Sequence, residues 1–136
     1  MSATGFDALD VGDEMPPAEI PLERAFVAGH AGFLGMPFPR FSDDEGARRE
    51  GLPGQITPGN MSLALLAREL LAWAHGARLL RLGTTFRGIA LAGTTATVHA
   101  AVTERDEERR SVECDLWMES AEGDRLVIGT ATLGWS

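Results

Sequence analysis

The chain has 136 residues, a length that suits one globular domain and is too short for two of ordinary size. Its 44% apolar and 24% charged residues are typical of a folded protein and exclude a disordered or fibrous one. Twelve basic residues, all of them arginine, stand against twenty acidic ones. The resulting net charge of −8 argues against nucleic acid as a partner, and the lack of lysine excludes Schiff-base chemistry. We therefore expect one domain that covers residues 1–136.

Several classes of protein are excluded by what the sequence lacks. Residues 1–5 have neither the positive start nor the apolar run of a secretory signal. The longest apolar segment, residues 61–74, contains Arg68 and Glu69 and is too short to span a bilayer. The single cysteine, Cys114, cannot form an internal disulfide, and no Cys/His cluster has the spacing of a metal site. We expect a cytoplasmic protein with no metal, no bound cofactor and no membrane contact.

The first part of the chain predicts short elements. A turn at residues 11–13 precedes an extended segment over residues 18–27. Residues 28–35 are rich in small side chains, which is compatible with a helix or a tight loop. Residues 43–50 predict a short helix with Ser42 as its N-cap and acidic residues in the first turn.

A long helix is predicted from Asn60 to about Ala74, ended by Gly76. Its apolar residues extend almost all round the helix instead of forming one stripe. We therefore expect a sheet to wrap it on most sides, with Arg68 and Glu69 reaching an edge.

The rest of the chain predicts strands because apolar and polar residues alternate. The predicted strands are residues 77–87, 94–103, about 112–119 and 125–135. The charged residues 104–110 and the hairpin residues 121–124 connect the later strands. Cys114 falls on the inward face, so we expect an inert core thiol. The order of elements predicts an α+β fold in which an antiparallel sheet packs on one buried helix.

The segment before the short helix carries a family resemblance. Four residues fall in register with a loop that reads Gly-Asp-x-Asn-Pro-x-His-x-Asp-x-x-x-Ala: Gly35, Pro39, Asp43 and Ala47. That loop is typical of MaoC-like hotdog proteins, the family of (R)-specific enoyl-CoA hydratases and acyl dehydratases. Gly59 also matches the glycine that opens the family's central helix, and residues 88–94 lie where the family has a Pro-x-x-x-Gly-Asp turn. The chain resembles this family over nearly its whole length, which implies the hotdog fold.

The catalytic positions of the family are occupied by other residue types. In this register the family's catalytic Asp is replaced by Met36, its Asn by Phe38 and its catalytic His by Phe41. None of these side chains can transfer a proton, and no other register restores the pair. The third catalytic element of the family, a backbone N–H at the start of the central helix, would be kept at Gly59. Whether the chain is an enzyme by itself is therefore left open.

The resemblance implies an acyl thioester of coenzyme A or of an acyl carrier as the ligand. Residues that we expect to contact it are Gly59, Asn60, Phe38, Arg40, His30 and Arg87. His30 has small neighbours that would admit a ligand, and the two arginines could meet a phosphate. A solvated arginine and a partly buried histidine are the simpler interpretations of the same residues.

Three hypotheses follow. The first is a degenerate hotdog subunit that shapes the acyl and coenzyme A pocket beside an active hotdog partner. In this hypothesis the chain forms a homo- or hetero-oligomer with another hotdog subunit. The second is an independent acyl-thioester enzyme, either a hydratase that uses His30 or a thioesterase that uses water at Gly59. The third is a non-enzymatic binder of a hydrophobic ligand. The sequence does not identify the acyl chain or the partner.

Overall fold

The structure, a computed structural model, describes residues 5–136, so the prediction about residues 1–4 lies outside the described residues. Eight regular elements follow in chain order: β1 Ala18–Pro21, α1 Arg24–Phe33, α2 Asp44–Arg49, α3 Gly59–Trp73, β2 Arg78–Phe86, β3 Thr95–Asp106, β4 Ser111–Glu119 and β5 Arg125–Gly134. Short 3-10 turns occupy Phe6–Ala8 and Pro39–Phe41. The five strands form one antiparallel sheet in the order β1-β3-β4-β5-β2, and α3 packs against it. The predicted α+β hotdog fold is confirmed.

Alternation places the inward residues of β3 and β4 in the core, as predicted. The buried side chains are Ala96, Val98, Ala100 and Val102 on β3, and Val112, Cys114, Leu116 and Met118 on β4. Burial, helped by the neighbouring carboxylates of Glu113 and Asp115, raises the pKa of the Cys114 thiol to about 12. Cys114 is therefore an unreactive core residue at neutral pH.

The wrapping of α3 is less complete than its composition predicted. One face is buried, and it contains Met61, Ser62, Leu65, Leu66, Leu70 and Trp73. On the opposite face Ala64 and Ala72 are exposed and Leu63 and Leu71 are only partly covered. A single sheet covers one side of a helix, so the remaining apolar residues of α3 stay at the surface of this chain.

Two predicted boundaries were wrong in the first part of the chain. Residues 24–27 are helical instead of extended, because Pro21 ends β1 and the buried Val27 and Ala31 have the spacing of one helix face. The N-cap of α2 is Asp43, not Ser42, since the Asp43 carboxylate accepts the N–H of Glu45 at 2.9 Å.

The turn between β3 and β4 was also predicted too long. β3 continues to Asp106, which pairs with Ser111, and a bulge at Thr103 absorbs one extra residue. Only residues 107–110 form the turn. Backbone pairing across the strands therefore overrides the charged composition of this segment.

Among residues 5–136, no helix has both the length and the hydropathy that crossing a membrane requires.

Candidate functional site

The loop of residues 36–43 is anchored to the segment that leads into α3. The N–H of Ile56 donates to the carbonyl of Arg40 at 2.9 Å. The side-chain amide of Gln55 donates to the carbonyl of Phe41 at 2.7 Å and to that of Arg24 at 3.1 Å. Gln55 is 2% exposed, and both bonds are partly buried. Gln55 was not predicted as a site residue, because a lone amide in an irregular segment carries no local pattern.

Asp44, directly after the loop, connects the start of α1 with the segment that leads into α3. Its Oδ1 atom accepts the backbone N–H of Gln55 at 2.8 Å and the guanidinium of Arg24 at 2.7 Å. The hydrogen bond from Gln55 first, and that from Arg24 second, lower the pKa of the Asp44 carboxyl below its usual value. The charged form of Asp44 therefore stabilises the folded loop.

We expect the protein to lose stability through Asp44 as the pH falls. A carboxyl whose folded pKa is lowered stabilises the fold above its unfolded pKa, about 3.9, and the contribution disappears as the pH falls towards the lower folded value. Asp44→Asn should therefore lower the melting temperature at pH 7 and much less at pH 3. Thermal unfolding at both pH values measures this, with the exposed turn variant Asp124→Asn as the control. An equal deficit for Asp44→Asn at the two pH values would contradict the prediction.

Residues from three segments meet at the start of α3. The Nε2 atom of His30, on α1, lies 3.4 Å from Oδ1 of Asn60. The Nδ2 atom of Asn60 lies 3.8 Å from the sulfur of Met36. Since an amide oxygen only accepts, Nε2 of His30 carries the proton in this contact. Met36 and His30, both singled out from the sequence, therefore meet at the first turn of α3.

The start of α3 also leaves backbone donors free. The carbonyl of Pro58 accepts the N–H groups of Met61 and Ser62 at 3.1 and 3.2 Å. Within the described part of the chain, the N–H groups of Gly59 and Asn60 have no acceptor. Free N–H groups and the helix dipole make this end of α3 favourable for an oxygen that carries negative charge.

A cavity of about 300 Å³ opens beside these donors. Its lining residues are mostly apolar: Ile56, Thr57, Gly59, Ser62, Phe86, Gly88, Ile89, Ala90 and Val127. The ring of Phe86 lies so close to Gly59 that a Cβ atom there would be 3.0 Å from Cζ. Thr57 and Phe86 were not predicted as site residues, because neither stands out in the sequence.

Three of the aromatic and basic loop residues pack on one another. The guanidinium carbon of Arg40 lies 5.1 Å from the Phe38 ring centre and 5.4 Å from that of Phe41. The two rings are 6.2 Å apart, and Nε of Arg40 is 3.4 Å from a carboxylate oxygen of Glu50. The structure thus places Phe38 and Arg40 in a cluster of their own, separate from the contacts that Asn60 makes. Their role in ligand binding stays a prediction.

Three more residues were considered from the sequence: Arg87, His75 and His99. Arg87 is exposed directly after Phe86, which lines the cavity, and its backbone N–H donates to the carbonyl of Leu126 at 2.8 Å, so its role in ligand binding stays a prediction. His75 is exposed near the far end of α3. His99 stacks on Trp117 at 5.1 Å and contacts a carboxylate oxygen of Glu119 at 2.7 Å on the outer face of the sheet. Neither histidine belongs to the site at Gly59.

Solved structures with the same fold include hydratases and dehydratases. The (R)-hydratase from A. caviae involved in PHA biosynthesis is 20% identical, with a TM-score of 0.87 over 95% of this chain and 98% of that one. The MaoC-like dehydratase from Rhodospirillum rubrum is 22% identical, with a TM-score of 0.80 over 95% and 94%. A chain of the ChsH1-ChsH2 complex from Mycobacterium tuberculosis is 17% identical, with a TM-score of 0.84 over 93% and 98%. No family model and no curated protein sequence matches the chain.

These likenesses show that the chain shares the fold of the MaoC-like dehydratases and (R)-hydratases. This agrees with the fold predicted from the register of Gly35, Pro39, Asp43 and Ala47 and from the glycine at the start of α3, Gly59. At identities of 16–23% the likeness shows the fold alone, and the chemistry depends on the residues of this chain.

Proposed function

We propose that the chain is an acyl-thioester-binding hotdog subunit of the hydratase/dehydratase type that lacks an acid–base pair of its own. In this proposal it shapes the acyl and coenzyme A pocket and works beside a catalytically competent hotdog subunit. The ligand is an acyl thioester of coenzyme A or of an acyl carrier.

One observation carries this proposal: Met36 contacts the first turn of α3. By the family resemblance, position 36 is that of the catalytic Asp, and the Met36 sulfur lies 3.8 Å from the Asn60 amide. A thioether cannot donate or accept a proton at neutral pH, so this side chain would line the pocket without acting on the ligand. Phe41, at the position of the family's His, is likewise unable to transfer a proton.

The start of α3 supports the binding part of the proposal. The free N–H groups of Gly59 and Asn60 could hold the thioester oxygen, whose charge grows in the enolate-like transition state of hydration. The adjoining apolar cavity could take part of the acyl chain. Binding therefore needs no acid or base from this chain, whereas turnover needs an acid–base pair that the partner subunit would supply.

The partner part of the proposal is supported by the edge of the sheet. β2 is an edge strand, and it exposes two large apolar side chains, Leu80 at 57% and Phe86 at 50%. Unpaired backbone groups with apolar side chains favour side-by-side association with another sheet. A complex of two different chains, ChsH1 with ChsH2, is known for a structure of this fold.

The contact between His30 and Asn60 favours a second candidate, an independent hydratase. His30 is the one histidine of the described residues that reaches the start of α3. With its Nε2 proton directed at Asn60, the imidazole could accept a proton from water only at Nδ1. His30→Ala would then abolish the activity of the isolated chain, whereas His75→Ala, at the far end of α3, would not change it.

The proposal predicts binding without turnover for the isolated chain. Calorimetry should detect binding of hexanoyl-CoA, and hydration of an enoyl-CoA should be slower than for a competent hydratase by about 10² to 10⁴ for each missing group. The complex copurified from the native host should hydrate the same substrate. Turnover by the isolated chain at the rate of a competent hydratase would refute the proposal, and its loss in His30→Ala would establish the second candidate.

A further inference from the structure

The face of the sheet that points away from α3 carries apolar side chains in a place where polar ones are usual. The outward residues of β4 are Glu113, Asp115, Trp117 and Glu119, and Trp117 stands beside Ile128 of β5. Trp117 and Ile128 are both only partly covered. The outward face of an antiparallel sheet is normally polar when water covers it, and tryptophan is enriched at protein interfaces. The composition of this outward face is therefore that of a contact surface.

Contacts from both neighbouring strands fix the Trp117 side chain. The His99 ring of β3 stacks on it, with 9° between the two planes, and the guanidinium carbon of Arg125 of β5 lies 4.4 Å from its ring centre. The carboxylate of Glu119 accepts the Nε1 proton of Trp117 at 3.2 Å and contacts Nε2 of His99 at 2.7 Å. A side chain that is already fixed loses little conformational entropy when it is covered, which favours association.

Two opposite charges are free in a groove beside Trp117. The groove has a volume of about 540 Å³, and Asp115 and Arg125 both line it. Both are exposed, and neither forms an ion pair with any described residue. The other carboxylates on this side of β4 are engaged, because Glu113 contacts Arg81 at 3.9 Å and Glu119 binds Trp117. Asp115 and Arg125 are therefore available to a partner.

The two free charges flank Trp117 at equal spacing along β4. Asp115 is two residues before Trp117, and Arg125 pairs with Glu119, two residues after it. Two residues of a strand span about 7 Å. A two-fold axis parallel to the sheet and perpendicular to its strands, placed over Trp117, would therefore bring Arg125 of each copy opposite Asp115 of the other.

We propose that two copies of this chain associate through this outward face, with Trp117 at the centre and reciprocal ion pairs between Asp115 and Arg125. Charges that match under two-fold symmetry favour a second copy over an unrelated partner. Gly83 lies level with Asp115 and has no side chain, so the groove is open where the guanidinium of the second copy enters. The contact lies on the side of the sheet opposite α3, so it is independent of the site at Gly59 and of the proposed function.

Sedimentation equilibrium of the isolated chain measures the dissociation constant of this dimer. Arg125→Asp places like charges against each other at both ends of the contact and should weaken the dimer at least about tenfold. The charge-reversed double variant Asp115→Arg/Arg125→Asp restores opposite charges and should recover the dimer. Arg109→Asp is the matched control: it changes the net charge equally, but Arg109 lies in the turn after β3 and does not line the groove, so the dimer should persist.

Four outcomes would overturn the inference. These are a monomeric wild type, a dimer that Arg125→Asp weakens no more than Arg109→Asp, a double variant that stays as weak as Arg125→Asp while circular dichroism shows an intact fold, and a dimer that Leu80→Asp abolishes but Arg125→Asp does not. The last result would place the contact at the edge of β2. Arg125→Asp should leave the affinity for hexanoyl-CoA unchanged, so the fate of the dimer does not decide the proposed function.

Discussion

Gly129→Ala is expected to lower the free energy of unfolding by about 3 kcal/mol, because the added carbon would overlap the neighbouring strand. A Cβ at Gly129 would lie 2.4 Å from the carbonyl oxygen of Gly83 and 3.2 Å from Cα of Thr84. Both contacts are with backbone, which cannot rotate away as a side chain can. β5 lies between β4 and β2, so relief of the overlap would shift the pairing that holds β2.

Urea unfolding of the wild type and of two variants measures this effect. Gly29→Ala is the matched control, because a Cβ at Gly29 would meet nothing within 4 Å and Gly29 lies inside α1. That control should raise the free energy of unfolding by roughly 0.5–1 kcal/mol through helix propensity. Equal stability of Gly129→Ala and the wild type would mean that β2 and β5 are not packed as closely as described.

Gly59→Val should reduce the affinity for hexanoyl-CoA by at least about tenfold, since the branched side chain would occupy the opening between α3 and the cavity. A Cβ atom added at Gly59 would itself lie 3.0 to 3.4 Å from three ring atoms of Phe86. The added methyl groups must therefore displace this ring or point at the free N–H groups of the first turn. Calorimetry measures the affinity, and circular dichroism checks that the fold is intact.

Phe86→Ala separates the two ways in which Gly59→Val could act. If the valine at position 59 acts only by displacing the Phe86 ring, the double variant Gly59→Val/Phe86→Ala should bind hexanoyl-CoA with the same affinity as Phe86→Ala alone. We expect it to bind more weakly than Phe86→Ala, because the valine side chain itself blocks the opening. Full affinity in a folded Gly59→Val protein would show that the thioester does not bind at the start of α3.

The chain's local patterns predicted most of its secondary structure. The alternation around Val98 and Cys114 depends only on the period of a strand, and the helix from Asn60 depends only on composition and a following glycine. The boundaries at Arg24, Ser42 and Asp106 could not be predicted in this way. They depend on which backbone groups find partners elsewhere in the fold, and such partners are distant in sequence.

In the candidate site, too, some features follow from the local sequence and others from contacts between distant segments. Local sequence sets the residue types: Met36 and Phe41, neither of which can transfer a proton, and the glycine at the start of α3. Which atoms meet depends on the packed fold: His30 contacts Asn60 across 30 positions, Gln55 donates to Phe41 across 14, and the Thr57 hydroxyl is buried without a partner among the described residues. Hydrophobic periodicity has a short range, whereas a side chain's partner and burial depend on how distant segments pack.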